Sequence, residues 1–337
     1  MIYRTVLRST FAFIVMLFLS ATAHAQLFRA YLAPSGNDAN PCTLPQPCRL
    51  LPAALTAVAD GGEIWMLDSG NYNTGTVNIT KSVTILAVPG ALGSVVAAGG
   101  NAIDISMPGI KVALRNLVIV PLPGGGGLYG IVLRAGAGLT VENCLIANLP
   151  GMGILVSGAT SVRITDTTIR DNGLYGVSLQ NGARATITRS TISGNSSYGV
   201  FVNAYTPGTT TTADIADSTM DGNLNGVFAW STNSTALIKV SVHDSRVVRN
   251  ANYGLYAQSS GAAVTLSASN NIISNNAYGI SPAGAGSKVW ASGNTISGNL
   301  VGIDNVGGLF ESAGNNAVRN NGYDTYPVIT IVVVATK

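Results

Sequence analysis

Four ionisable residues recur at repeat-like spacing and could carry acid–base chemistry: Asp217, His243, Asp244 and Arg246. Two carboxyl groups held close together can act as the acid and base of a glycosidase. Carboxylates with an arginine base and a calcium ion could instead perform lyase chemistry on uronates. Acids and arginines that alternate on a surface also form ordinary exposed ion pairs. Which of these applies depends on the elements that hold the four side chains.

Aromatic residues occupy a second regular set of positions in the same part of the chain. Phe201, Phe228 and Tyr256 each stand two residues after a glycine, and Trp230 lies two residues beyond Phe228. In a strand, residues two apart share a face, so these rings are predicted to form one solvent-facing patch. Flat rings suit the apolar faces of sugars. We therefore predict a substrate-binding surface, to which Tyr205 would add a ring from a neighbouring loop.

Both sets belong to a repeat that begins with a glycine anchor. The successive anchor glycines are 23, 23, 23, 27, 28, 25 and 23 residues apart. A fixed period of this size indicates stacked units, none of which can bury its apolar side alone. The anchors are Gly130, Gly153, Gly176, Gly199, Gly226, Gly254, Gly279 and Gly302.

The content of each repeat favours short strands over helices. Each contains two or three alternating runs rich in Ile, Val and Thr, such as 177–179 and 185–187, separated by turn residues. About 23 residues with such strands form one coil of a parallel β-helix, whereas a propeller blade needs about 40 residues. The predicted fold is all-β, and its coils should be right-handed.

Aligning the repeats on the asparagine before each anchor predicts two columns of stacked side chains. The apolar column should point into the coil, and the small polar column should hydrogen-bond along the stack. The predicted apolar column is Leu145, Ile169, Ile192, Met220, Val247, Ile272 and Ile296. The predicted polar column is Asn143, Thr167, Ser190, Ser218, Ser245, Asn270 and Asn294.

These features resemble the right-handed parallel β-helix family, the pectate-lyase-like superfold. Counting the repeats gives about 11 coils over residues 62–322, which at ~4.8 Å per coil form a rod about 50 Å long. The superfold includes lyases, hydrolases, epimerases and adhesins, so it does not define one activity. The Asn-Thr-Asp, Asp-Asp and His-Gly signatures of polygalacturonase-like hydrolases are missing, as is the Trp-x-Asp-His signature of classical pectate lyases. No catalytic residue can therefore be transferred by motif.

The two ends of the chain are predicted to differ from the repeats. Residues 1–25 read as a secretory signal, with a basic start, a short apolar run and an Ala-His-Ala cleavage site. Residues 26–61 should cap the first coil, with a short helix within 50–59, because an open solenoid end exposes unpaired backbone. Their start resembles the opening of many bacterial β-helix proteins. Residues 323–337 should form a capping strand.

The three cysteines fit an exported protein. Cys42 and Cys48 lie close together in a proline-rich loop and are predicted to form a disulfide. Zinc is the rival, but no nearby residue completes a set of four ligands. Cys144 falls inside a repeat and should be a reduced core thiol.

Charge excludes one class of partner. The chain has 18 basic and 15 acidic residues, a net charge of +3, which does not favour nucleic acid. No segment of the mature chain is predicted to span a membrane, and we expect a secreted or periplasmic monomer. No cofactor is expected, although a calcium ion could take part in lyase chemistry.

We therefore expect an exported β-helix protein that binds a polysaccharide and could process it on an outer face of the solenoid. If it is an enzyme, a polysaccharide lyase or a glycoside hydrolase is expected. Insertions at 205–212 and 231–235 could wall the aromatic patch into a groove, or could cover the rings and bury them. The alternative is a non-catalytic structural or adhesin-like surface protein.

Overall fold

A computed structural model describes residues 26–327 and 331–334 and shows a right-handed parallel β-helix of about 11 turns. Each coil contributes one strand to each of three parallel sheets, here called sheets I, II and III in the order in which the chain meets them after the anchor glycine. The predicted fold class is therefore confirmed. The predicted signal peptide, residues 1–25, lies outside the described residues.

Sheet I has 11 strands, and each anchor glycine lies within one of them or directly before it. Its strands are Val77–Ile79, Ile103–Ile105, Ile131–Leu133, Ile154–Ser157, Tyr175–Gln180, Tyr198–Ala204, Asn225–Ser231, Tyr253–Ser259, Tyr278–Ala283, Val301–Asp304 and Tyr323–Tyr326.

Sheet II has 13 strands, because the first strand of the cap and a short C-terminal strand extend it at both ends. Its strands are Leu27–Leu32, Val58–Met66, Val83–Ala87, Lys111–Arg115, Gly138–Glu142, Ser161–Thr165, Arg184–Thr188, Thr210–Ala216, Leu237–His243, Ala263–Ser269, Ser287–Ser292, Leu309–Ser312 and Val332–Val333.

Sheet III has 11 short strands and closes each coil. Its strands are Gly70–Asn71, Gly93–Ala97, Leu117–Pro121, Leu145–Ala147, Thr168–Arg170, Thr191–Ser193, Thr219–Asp221, Arg246–Val248, Ile272–Ser274, Thr295–Ser297 and Ala317–Val318.

The single described helix covers the first coil. It runs over Leu51–Ala57 and buries Leu51, Ala54 and Leu55 against the solenoid core. It is shorter than the predicted segment because the backbone becomes extended at Val58, where the next strand of sheet II begins. Within the described parts of the chain, no helix is long and apolar enough to cross a bilayer.

The anchor glycine is explained by close stacking of backbone between coils. A Cβ atom at Gly226 would lie 2.6 Å from the carbonyl oxygen of Gly254 in the next coil. It would also lie 2.7 Å from a methyl group of Val247. Real Cβ atoms do not approach so closely, so any larger residue would force the two coils apart. The repeat that organises the sequence is thus a packing requirement.

A buried asparagine ladder runs beside the anchors. The Oδ1 atom of Asn223 accepts hydrogen bonds from the backbone nitrogen of Asn195 at 3.0 Å and from its Nδ2 at 2.9 Å. The same pair of bonds joins Asn172 to Asn195 and Asn250 to Asn276. Each side-chain oxygen of the ladder therefore accepts hydrogen bonds from the asparagine of the coil before it, so these buried polar groups are paired.

The second polar column also exists, but two of its predicted members are wrong. Thr167 bonds to Ser190 and Ser245 bonds to Asn271, whereas Asn143 and Asn270 stand one residue earlier, in left-handed turn conformations. The error arose because the alignment used Asn148 and Asn275, which precede the true ladder positions by one residue. A slip of one residue exchanges the two faces of a strand.

The same slip misplaced two members of the apolar column. Ile146 and Ile273 are fully buried in the core. By contrast, Leu145 is only half-buried and Ile272 is 40% exposed. The other predicted inward residues, such as Ile169 and Ile192, are fully buried.

The extra residues of the long coils lie in one corner only. The turn from sheet II to sheet III has two residues in every coil from Gly138 to Ser297, and it carries the second polar column. The turn from sheet I to sheet II has five residues at 205–209 and five at 232–236, but three at 181–183. The longest insertions therefore lie at a corner that carries no ladder.

Both ends of the rod are closed by local devices. Cys42 and Cys48 form the predicted disulfide, with Cα atoms 4.6 Å apart, and the loop between them bonds to the first strand. At the other end, Val332 and Val333 pair with Glu311 and Ser312 of sheet II.

Candidate functional site

The predicted aromatic column lies on the outer side of sheet I, where it forms part of a larger layer of rings. Phe201 pairs in register with Phe228, and Phe228 with Tyr256. A parallel column of tyrosines lies beside it, and neighbouring ring centroids are 4.1 to 6.3 Å apart. We call this layer the aromatic face: Tyr175, Tyr198, Phe201, Phe228, Trp230, Tyr253, Tyr256 and Tyr278.

The expectation that all the rings face solvent is wrong for Phe201 and Phe228, each of which is 6% exposed. Both lie outside the interior core cluster, so they do point outward as predicted. They are covered because Tyr198 packs on both and Trp230 stacks on Phe228 with centroids 6.2 Å apart. The two phenylalanines form a base under rings that remain half-exposed.

The half-exposed rings include Trp230 and Tyr256 from the predicted set. Tyr256 stacks on Phe228 at 4.8 Å and on Tyr253 at 4.1 Å. Tyr205 is 53% exposed in the loop that follows its strand and lies apart from these stacked pairs. The structure thus brings four of the five predicted binding residues together and leaves Tyr205 on an adjacent loop.

Two polar atoms at the edge of the aromatic face lack partners among the described residues. The indole Nε1 of Trp230 and the Oδ1 of Asn203 are both buried without a hydrogen bond. Trp230 and Asn203 are register partners on neighbouring coils. An unpaired buried donor or acceptor costs about 1–3 kcal/mol. A ligand hydroxyl that reached this edge could relieve both.

Sequence reasoning missed one acid on the same face. The column of Phe228 and Tyr256 continues in register through Ser281 to Asp304. Asp304 is 6% exposed, and Ser281 Oγ donates a hydrogen bond to its Oδ2 at 3.2 Å. Burial raises the pKa of the Asp304 carboxyl above its usual value. Extending the outward column by two repeats would have identified it.

The pKa values of two tyrosines near this acid are also raised. Burial, with the charges of Tyr256 and Asp304, raises the pKa of Tyr253 to about 12. The pKa of Tyr256 is raised for similar reasons, chiefly burial. Both phenols therefore stay protonated at neutral pH and can donate hydrogen bonds.

The four residues predicted to be catalytic lie elsewhere. Asp217 and Asp244 occupy the turn between sheets II and III, with left-handed φ angles of 48° and 51°. His243 ends a strand of sheet II, and Arg246 begins one of sheet III. The structure therefore does not bring them to the aromatic face on sheet I.

His243, at the end of its strand and next to this turn, lies between two carboxylates. Its Nδ1 is 2.9 Å from Asp244 Oδ2, and its Nε2 is 3.6 Å from Asp214 Oδ1. The hydrogen bond from His243 lowers the pKa of the Asp244 carboxyl. Arg189 similarly contacts Asp166 through two bonds of 2.8 and 2.9 Å, which lowers the pKa of Asp166. These contacts have the form of exposed surface ion pairs.

Two further possibilities for chemistry have little support. Cys144 is a buried free thiol, as predicted, and burial raises its pKa to about 11, so it is not a thiolate at neutral pH. No group of three or more His, Cys, Asp or Glu side chains is placed to hold a metal ion within residues 26–327 and 331–334.

The fold defines the class of the protein as a right-handed parallel β-helix. Residues 125–267 match a protein-family model described as a right handed beta helix region. No curated protein matches the chain.

Three solved structures illustrate the structural likeness. The A-module of a mannuronan C-5 epimerase from Azotobacter vinelandii is 13% identical, with a TM-score of 0.60 over 82% of this chain and 91% of that chain. A pectate lyase is 18% identical, with a TM-score of 0.56 over 91% and 82%. The Dettilon tailspike protein is 14% identical, with a TM-score of 0.52 over 87% and 68%. At these identities the likeness establishes the fold alone.

Proposed function

We propose that the protein binds a polysaccharide along the aromatic face of sheet I. The observation that carries this proposal is the continuous layer of stacked rings between Tyr175 and Tyr278. These residues lie four coils apart, about 19 Å along the rod. A surface of this length, with half-exposed rings above buried ones, suits a chain of sugar rings better than a single small molecule.

Two further features support a sugar as the ligand. The protonated phenols of the partly exposed Tyr253 and Tyr256 offer donors beside the rings, which is what a hydroxyl-rich ligand would use. The structural neighbours include an epimerase of mannuronan and a pectate lyase, so the fold is compatible with polysaccharide sites.

The geometry supports binding more than hydrolysis. A glycosidase of the usual kind needs two carboxyl groups about 5 to 9 Å apart. In the described strands of sheet I from Tyr175 to Asp304, Asp304 is the only acid, and it is nearly buried. The acids predicted to be catalytic lie at a different corner of the coil.

An exported location is part of the same proposal. The disulfide between Cys42 and Cys48 is stable in oxidising compartments such as the periplasm or the extracellular space. It agrees with the signal sequence predicted for residues 1–25, and with a polysaccharide outside the cytoplasm as the ligand.

The test is a glycan array, followed by titration of the best glycan against two matched variants. Trp230→Ala should weaken binding about tenfold or more, since tryptophans are frequent hot spots of binding surfaces. Trp290→Ala is the control, because Trp290 is equally half-buried but lies on sheet II. Circular dichroism of both variants should confirm that the fold is intact.

Two results would contradict the proposal. One is equal loss of binding in the Trp290→Ala control, and the other is the absence of any glycan ligand, which would favour the structural or adhesin-like alternative. New reducing or unsaturated chain ends after incubation would show an enzyme instead of a binding protein.

A further inference from the structure

The outer side of sheet II contains a groove of about 1120 Å³. It crosses nine neighbouring strands, from Val58–Met66 to Ala263–Ser269, so it extends about 38 Å along the rod. The groove lies on a different sheet from the aromatic face, and the two share no residue.

Exposed cations without partners are concentrated in this groove. Eight of the 15 described lysines and arginines have an acid partner, and Arg49 and Lys81 donate to backbone carbonyls. Five have neither among the described residues, and four of these five line the groove. The four groove cations are Lys111, Arg163, Arg184 and Lys239. Most other described cations have a partner, so the four groove cations are available to bind a ligand.

The groove cations follow the axis of the rod. Arg184 pairs in register with Thr212, and Thr212 with Lys239, so their charges stand two coils apart, or about 10 Å. Lys111 belongs to the same column, three coils before Arg184. Arg163 lies in the adjacent column on the coil before Arg184. A row of charges parallel to the axis suits a ligand that is itself a chain.

The rest of the lining mixes hydroxyl-bearing side chains with valine, alanine and leucine, and contains no aromatic side chain. Threonine and serine hydroxyls separate the cations, including Thr140, Thr186 and Thr265. Asp214 is the single acid in the lining, and it lies 3.6 Å from His243 Nε2. Hydroxyls and guanidinium groups suit sugar hydroxyls and anionic substituents, because arginine binds such oxyanions through two parallel bonds.

We propose that this groove is a second binding site, which takes a linear polysaccharide bearing carboxylate or sulfate groups and aligns it with the rod axis. Nucleic acid fits less well. Single strands are bound on aromatic stacking platforms, which the groove lacks. A DNA duplex carries one charge per ~1.7 Å, far more densely than these cations recur.

The test compares two double variants with equal charge change. Arg163→Gln with Arg184→Gln should weaken binding to polygalacturonate or to dextran sulfate at least tenfold, roughly the loss of one charge-assisted hydrogen bond. Arg115→Gln with Arg189→Gln is the control, because these arginines are exposed but already paired with Glu142 and Asp166. Polygalacturonate tests carboxylate and dextran sulfate tests sulfate, and binding of either supports the site.

Three further measurements distinguish this groove from the aromatic face and from a general effect of charge. Neutral dextran should not bind in the groove, added salt should weaken binding of the anionic chains, and Trp230→Ala should leave that binding unchanged. Equal weakening by the control variant would overturn the proposal, since it would show that net charge alone drives binding. Tighter binding of duplex DNA than of both polysaccharides, or binding of neither, would also overturn it.

Discussion

At the scale of single residues, Asp304 is the group whose surroundings differ most from those of an ordinary surface acid. It stands in the outward column of sheet I between Ser281, from whose hydroxyl it accepts a hydrogen bond, and its register partner Tyr326. It lies near the phenols of Tyr253 and Tyr256. One hydroxyl donor does not replace the water that an ionised carboxylate loses on burial. The carboxyl therefore holds its proton to a higher pH in the folded protein than in the unfolded chain.

Replacing this acid should stabilise the protein at neutral pH. Since the native pKa of Asp304 is raised, the contribution of this residue to stability is fully present below the ordinary value of 3.8 and is lost as the pH rises through the native pKa. Asp304→Asn cannot ionise and keeps an acceptor for Ser281. Its free energy of unfolding should exceed that of the wild type at pH 7, and the difference should shrink as the pH approaches 3.8.

Urea unfolding of both proteins across this pH range measures the effect. Asp217→Asn, at an exposed turn, is the matched control and should change stability by less than about 0.5 kcal/mol. A less stable Asp304→Asn variant at pH 7 would mean that the carboxylate has a stabilising partner.

At the scale of the elements, the strands of sheet I stack so closely that the anchor position has no room for a side chain. The Cβ position at Gly226 is occupied by the backbone of the next coil, so side-chain rotation cannot relieve a substitution there. Glycine recurs at the anchors because the coils stack too closely there for any larger residue.

Gly226→Ala should therefore destabilise the protein by about 3 kcal/mol or more, at or above the upper end of ordinary overpacking. Gly75→Ala is the matched control, because nothing lies within 4 Å of the Cβ position at Gly75. Its stability should stay within about 1 kcal/mol of the wild type. Chemical denaturation measures both, and a tolerated Gly226→Ala would show that neighbouring coils can separate without cost.

The elements also show which parts of the structure the sequence could predict. The anchor glycines, most of the second polar column and the disulfide were predictable because each depends on residue type and spacing alone. The register of two repeats was not, because Asn148 and Asn275 imitate the ladder residues that directly follow them. The burial of Phe201 and Phe228 was not either, because it depends on rings from other columns and other coils, such as Tyr198 and Trp230.

The candidate sites were predictable to different degrees. Strand alternation correctly placed Phe228 and Trp230 on one outer face, but it carried no information about the corner at which Asp217 and Asp244 lie relative to that face. The groove cations escaped notice because Arg163 and Arg184 look like ordinary surface charges until the partners of the other cations are known.

At the scale of the whole molecule, the rod is quasi-one-dimensional, so each coil contacts only its neighbours. A local change should therefore have a local effect. The disulfide loop bonds to the first strand, with Tyr31 N donating to Cys42 O at 2.8 Å and Cys48 N donating to Tyr31 O at 3.0 Å. It supports the outermost strand of sheet II.

Removing the disulfide should loosen only this end. In a variant with Cys42→Ser and Cys48→Ser, hydrogen exchange should quicken in Leu27–Leu32 and in the helix, while coils after Gly130 keep their protection. The six-residue separation closes a short loop, so the loss of stability should stay below the ~3 kcal/mol of a 15-residue loop. Faster exchange along the whole rod would contradict local coupling.

The three corners of a coil also constrain how the gene can change in length. An inserted codon in the turn from sheet II to sheet III would move a ladder residue out of line with its neighbours above and below. An inserted codon between sheets I and II only lengthens an exposed loop, as at 205–209 and 232–236. Large insertions are thus best accommodated between sheets I and II, and foreign peptides grafted into the rod should be tolerated at that same corner.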